Sequence, residues 1–289
     1  MKAEIVVDCR NQHGEGVLWN ALDSRLWWTD IHGQALWTFD PVSNRSASYP
    51  APDRICCFAP RRDGAVLAAF ADGFAIFDPR TGRREDIAPF EPDLPQTRLN
   101  DGRTDRQGRF IAGGMDERDM APVSSVWRVD ADLKLTRLFG GVACANSTCF
   151  SPDGRAMYFA DSPQGAIVAF AYDPDTGAVG AKRTVATIPA GRGVPDGSCV
   201  DAEGFIWNAV WDGYRVDRYA PDGRLDRTIA VPVAKPTCVA FGGADLATLF
   251  ITTSRLDCPA ELLAREPHAG SLFAVRPGVK GMIDSPFAG

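Results

Sequence analysis

One pattern recurs six times along the chain, and it limits the fold more than any other feature of the sequence. Aligned on a small turn, its copies are GEGVLWNALDSRLWWTD, RICCFAPRRDGAVLAAFADG, LNDGRTDRQGRFIAGGMD, NSTCFSPDGRAMYFADSP, DGSCVDAEGFIWNAVWDG and KPTCVAFGGADLATLFITTS. Each holds a residue in a polar turn, a short apolar stretch, a small turn, and a strand-like run ending near Asp or Gly. Between the copies lie LWTFDPVSNR, FAIFDPRTGRRE, VWRVDADLKLTRL, IVAFAYDPDTGAV, YRVDRYAPDGRLDRTI and SLFAVRPG. These read as hairpins, with apolar alternation broken by Asp-Pro or Asp-Gly turn chemistry. Each repeat thus offers about four short strands, and four-stranded repeats of roughly 40–50 residues are propeller blades. The sequence predicts an all-β fold: a six-bladed β-propeller with four-stranded blades, occupying residues 1–289 as a single domain.

The strand-like AEIVVDC precedes the first copy and has no partner within it. Pairing beside SLFAVRP would complete the last blade and close the ring, which removes an exposed sheet edge. No long stretch has a period of 3.6, so helices should be few; CPAELLARE, residues 258–266, is the most helical piece. Cys57, Cys149, Cys199 and Cys238 occupy matching places in four copies, as small soft side chains on crowded inner strands would.

Composition removes other classes. The net charge is −6 and there is no long basic run, which argues against a nucleic-acid partner. The N-terminus MKAEIVVDCRNQ is too polar for a signal peptide, and no run approaches the ~18 apolar residues of a membrane span. A soluble cytoplasmic protein without a membrane partner is expected, a monomer by default. The eight cysteines match no zinc-ribbon spacing and read as reduced, buried thiols.

Counting back four residues from the end of each inner apolar motif gives Glu15, Arg54, Asn100, Asn146, Asp196 and Lys235. In a propeller, equivalent slots at the start of the inner strands surround one mouth of the central channel. Turn chemistry alone would favour Asp, Asn, Gly and Ser there, not Glu, Arg and Lys. Unlike charges in a narrow cavity need a partner such as a metal or a polar ligand. Copies one, four and five supply two carboxylates and an amide oxygen. Those hard donors suit calcium, magnesium or manganese and tolerate zinc or iron. Three protein ligands leave positions open for water and substrate.

Other chemistry is missing. There is no G-x-S-x-G elbow and no H-E-x-x-H helix. His13, His32 and His268 show no ligand spacing; His13, next to the Glu15 turn, could approach the site, but a plain loop histidine is the simpler reading. Trp19, Trp207 and Trp211 lie near the slots, where stacking on a sugar face and packing between blades are equally open.

At these residues the chain resembles the family of gluconolactonases, regucalcin (senescence marker protein) and luciferin-regenerating enzymes. The marks are GEGVLW, RLNDGRTDRQGRFIAGGMD, NSTCFSPDGRAMYFADS, VPDGSCVDAEGFIWNAVWDG and KPTCVAFGGADLATLFITTSR, which together cover nearly the whole chain. The resemblance implies a six-bladed propeller with one divalent metal near its axis, bound by Glu15, Asn146 and Asp196. It also implies that Arg98 and Asn100 contact substrate hydroxyls. An acidic residue after GGM joins them in relatives; here Asp116 and Glu117 both qualify. Relatives usually carry proline where Val17 stands and glycine where Ser147 stands. Arg54 has no family role, and would either select an acidic lactone or pair with a nearby acid.

The function expected from the residues and the resemblance is metal-dependent hydrolysis of a sugar lactone to the sugar acid. Asp196 would assist water attack, and Arg98, Asn100 and Lys235 would orient the polyol or steady negative charge. Two alternatives stand beside it: a calcium-dependent hydrolase of phosphotriesters or large lactones, and a non-enzymatic calcium-binding regulatory propeller. Arg54 and Lys235 argue against the more apolar site that the first requires.

Overall fold

Asp-Pro and Asp-Gly turns cut the chain into strands of four to nine residues, too short to bury much surface singly. In the computed structural model, which describes residues 1–289, the strands form six four-stranded sheets, every pairing antiparallel. The inner strands are Gly14–Asn20, Ile55–Pro60, Thr97–Thr104, Ala145–Phe150, Val194–Val200 and Pro236–Gly242. They are almost wholly buried, whereas outer strands such as Arg45–Pro50 are largely exposed. Each inner strand packs against the next, and Pro236–Gly242 packs back on Gly14–Asn20, so the ring is closed.

The apolar face of each sheet is buried on its neighbour, so the core is a set of wedges between blades. Trp28, Phe39 and Phe250 join blades six and one, and Trp27, Phe58 and Phe70 join one and two. Phe74, Leu99 and Phe110 join two and three, and Trp207, Val216 and Phe241 join five and six. Each such side chain contributes about 1.5–3 kcal/mol on burial.

The expected closure is present. Strand Glu4–Val7 pairs with Leu272–Val275, with Glu4 opposite Ala274 and Ile5 opposite Phe273. The one α-helix, Ala260–Arg265, falls inside the segment the sequence marked as helical. All eight cysteines are free, and no helix is long and apolar enough to cross a membrane.

The C-terminal segment makes a second closure that the repeat does not announce. It crosses several blades, with Gly281 N donating to Leu246 O, Phe287 N to Pro60 O and Ala288 N to Gly108 O. Asp284 on this segment pairs at 2.5 Å with Arg103, a buried side chain of the third inner strand. Arg103 also reaches Cys238 Sγ of the sixth inner strand at 3.7 Å, so its guanidinium lies within the channel.

Candidate metal and substrate site

Every inner strand breaks its register at or beside the slot. The shifts fall between Glu15 and Leu18, Ile55 and Cys57, Leu99 and Gly102, Asn146 and Cys149, Pro195 and Ser198, and Pro236 and Val239. Such bulges bend a strand and re-aim its side chains. At this bulge Gly16 has φ 59° and Ser147, one residue past Asn146, has φ 60°. That left-handed backbone is the reason glycine suits position 147. Serine holds it here while its hydroxyl donates to Asp196 O at 2.6 Å, tying blade four to blade five.

The bulges open a cavity of about 360 Å³ at one mouth of the channel. Four of the six slot residues line it: Asn100, Asn146, Asp196 and Lys235. Glu15 is buried, its carboxyl within hydrogen-bonding reach of Asp196. Arg54 is turned instead to Glu117.

Burial, and then the charge of Asp101, push the Glu15 carboxyl up to about 8. Asp196 is raised well above the carboxylate range, first by burial and then by Glu15 and Asp101. Neither carboxylate belongs to an ion pair, and nearby Arg103 is engaged by Asp284. Two buried acids facing each other without a counter-ion is an arrangement that a divalent cation resolves. No three His, Cys, Asp or Glu side chains are placed to hold a metal ion by themselves, and the Asn146 amide, which also lines the cavity, offers a further oxygen donor. The donor set fits a hard divalent ion.

A pH dependence follows. Glu15 titrates from 4.5 to about 8 on folding, so between these values the folded chain binds more protons than the unfolded one. Metal-free protein should therefore lose stability as pH rises from about 4.5 to 8. Melting temperatures across that range in chelator should fall, and saturating metal should flatten the slope.

The amide of Asn146 has only one workable orientation. Its Nδ2 donates to Ser162 Oγ at 2.8 Å, and that hydroxyl donates onward to Pro195 O at 2.7 Å. Oδ1 is thereby left on the other side, 3.5 Å from Asn100 Nδ2. Ser162 sits on the short 3-10 turn Ser162–Gln164. Ser162→Ala should weaken metal affinity about tenfold, as loss of a ligand-orienting bond does. Calorimetric titration of the chelated protein checks this.

On the adjoining third blade, Arg98 Nη1 donates to Asn100 Oδ1 at 2.7 Å, while Asn100 Nδ2 donates to Ala145 O at 2.9 Å. Glu117 accepts Arg98 Nε at 2.8 Å and both terminal nitrogens of Arg54, at 2.7 and 3.1 Å. Burial opposes ionisation of Glu117, but the two guanidiniums overcome it and hold the carboxyl below its usual range. Of the two acids after Met115, Glu117 therefore joins the arginines. Asp116 does not: its carboxylate accepts Arg118 N at 2.9 Å and Ala121 N at 3.1 Å and fixes a turn. Arg54 meets the second of its two alternatives, pairing with a nearby acid, so its charge no longer argues about substrate polarity.

Of the two readings open for His13, approach to the site is the one the fold adopts. The residue lines the cavity, held by Asp30, whose carboxylate accepts His13 N at 2.9 Å and Gln12 N at 3.0 Å. Its spacing of two from Glu15 was the available signal, since alternate residues of extended chain share a side. Of the three tryptophans near the slots, only Trp211 lines the cavity. Trp207 is fully buried, its Nε1 donating to Asp201 at 2.9 Å, and Trp19 packs near Gly242.

The family model described as SMP-30/Gluconolactonase/LRE-like region matches residues 13–255. An L-arabinolactonase of Azospirillum brasilense is 41% identical over 100% of this chain and 96% of its own. A 6-deoxy-6-sulfogluconolactonase of Pseudomonas putida is 35% identical over 96% and 95%. The crystal structure of regucalcin from Agrobacterium tumefaciens, described as a calcium-binding protein, superposes with a TM-score of 0.93. It is 31% identical and covers 99% of this chain and 97% of that one. The chain belongs to the SMP-30/gluconolactonase/LRE-like family.

Proposed function

We propose that the protein hydrolyses a sugar lactone to the corresponding sugar acid, with one divalent cation held by Glu15, Asn146 and Asp196. The observation that carries this reading is the pair of buried, uncompensated carboxyls beside a cavity of about 360 Å³. The names of the arabinolactonase and sulfogluconolactonase relatives support the substrate class. The regucalcin relative supports a calcium-type ion.

The cation, when bound, supplies Lewis-acid polarisation of the lactone carbonyl. The remaining roles fall to side chains. Asp196 accepts a proton from water at a carboxylate oxygen as the water oxygen bonds to the carbonyl carbon. The ester C–O bond then breaks, and the ring oxygen takes up that proton and leaves as a hydroxyl of the sugar acid. Arg98 and Asn100, each fixed by its neighbours, present polar groups that hold the lactone hydroxyls in register with the carbonyl.

A panel of aldonolactones assayed by acid release, before and after chelation and metal replacement, tests the proposal. Turnover that is lost on chelation and returns with metal is expected. Undiminished turnover in chelator would refute the metal role, and metal binding without any turnover would refute the lactonase.

A further inference from the structure

Besides Arg98 and Asn100, the cavity is lined by His13, Lys235 and Trp211. Lys235 is a buried cation that belongs to no ion pair. Its ammonium donates to Leu256 O at 2.7 Å and lies 4.5 Å from the Trp211 ring centre. An ammonium has three protons to donate, and the one backbone bond leaves others for the cavity. His13 is fixed through Nδ1, 2.9 Å from Ser254 Oγ, and its ring packs 5.5 Å from Trp211. Its Nε2 has no hydrogen-bond partner in the protein, and the residue lines the cavity.

We infer that His13 Nε2 and Lys235 Nζ, over the face of Trp211, form a second hydroxyl-reading subsite that selects the exocyclic end of the lactone. This rests on the lactonase reading for the substrate class and deepens it. A hydroxyl is the group that matches both atoms: it accepts from the Lys235 ammonium, and it satisfies His13 Nε2 in either tautomer by donating or accepting. A carboxylate or sulfonate would suit Lys235 but only one tautomer of His13. The indole face adds a flat apolar wall for the C–H side of the sugar. Arg98 and Asn100 line the same cavity, and the two pairs would grip different hydroxyls of one ligand.

The test compares a pentono-1,4-lactone with its 5-deoxy analogue, in the parent protein and in Lys235→Met and His13→Phe. The parent should prefer the hydroxylated lactone by about 10- to 100-fold in kcat/KM, because the analogue leaves the site's polar atoms unpaired. In each variant that ratio should fall to within about threefold of one. A ratio unchanged from the parent, including a parallel loss on both substrates, overturns the inference. Melting temperatures identify a variant that misfolds; His13→Gln then replaces His13→Phe, and Lys235→Met stands on its own. Calorimetry with the inert 1,4-anhydroalditols, with and without the hydroxymethyl oxygen, separates the two readings. A preference in binding that the variants lose, without lactone turnover, keeps the subsite and removes the lactonase. A 5-carboxylate analogue binding more tightly than the hydroxymethyl compound would overturn the hydroxyl assignment in favour of an anion.

Discussion

Asp196→Asn should lower kcat by about three orders of magnitude while leaving the fold intact. Loss of a positioned base is worth about 10²–10⁴ in rate. The amide keeps an oxygen for the cation and fills nearly the same volume. It also removes one of two buried acids that repel each other, so metal-free protein should melt no lower than the parent. Metal affinity should fall by much less than turnover, and KM should change little. Steady-state kinetics at saturating metal, with affinity measured separately, distinguishes this from simple loss of a ligand. Full turnover in Asp196→Asn under saturating metal would remove the aspartate from the proton transfer.

The second large effect lies at the far end of the channel. Asp284→Ala leaves Arg103 without its carboxylate partner, in a position where the guanidinium is almost wholly buried. Breaking a buried pair on one side costs about 3–5 kcal/mol, and the partial exposure of Asp284 places this case near the lower figure. For a chain of this size, about 3 kcal/mol corresponds to a fall in Tm of roughly 6–10 °C. Arg103→Met in the same background should recover most of the loss, since no unpaired charge then remains. Scanning calorimetry of the two variants and the pair checks the coupling. Equal melting of Asp284→Ala and the parent would show that the tail crosses the channel without securing it.

The fold was legible because the propeller repeats its own grammar. A residue at one slot in one blade says little, but Glu15, Arg54, Asn100, Asn146, Asp196 and Lys235 in six aligned copies define a ring. The closure by Glu4–Val7 was legible for the same reason, as a strand with no partner in its own repeat. Features outside the repeat were not. Asp284 lies in a segment with no strand periodicity, and Arg103 reads as an ordinary strand arginine until its neighbours are known. Ser162 orients Asn146 only because the fifth blade brings Pro195 O to its hydroxyl, a contact 33 positions along the chain. Asp116 and Glu117 are adjacent and must face opposite ways in extended chain, but which one meets the arginines depends on the local turn. The spacing of His13 fits no motif, so its nearness to the Glu15 turn leaves its place open; the Asp30 carboxylate that closes the first copy is what fixes it in the cavity wall.

Anomalous scattering from a crystal grown with manganese would report most directly on whether the ring delivers Glu15, Asn146 and Asp196 to a single ion. The account predicts one strong peak within about 2.6 Å of an oxygen from each of the three residues. A peak elsewhere, or none in crystals of protein that turns over lactone, would contradict it.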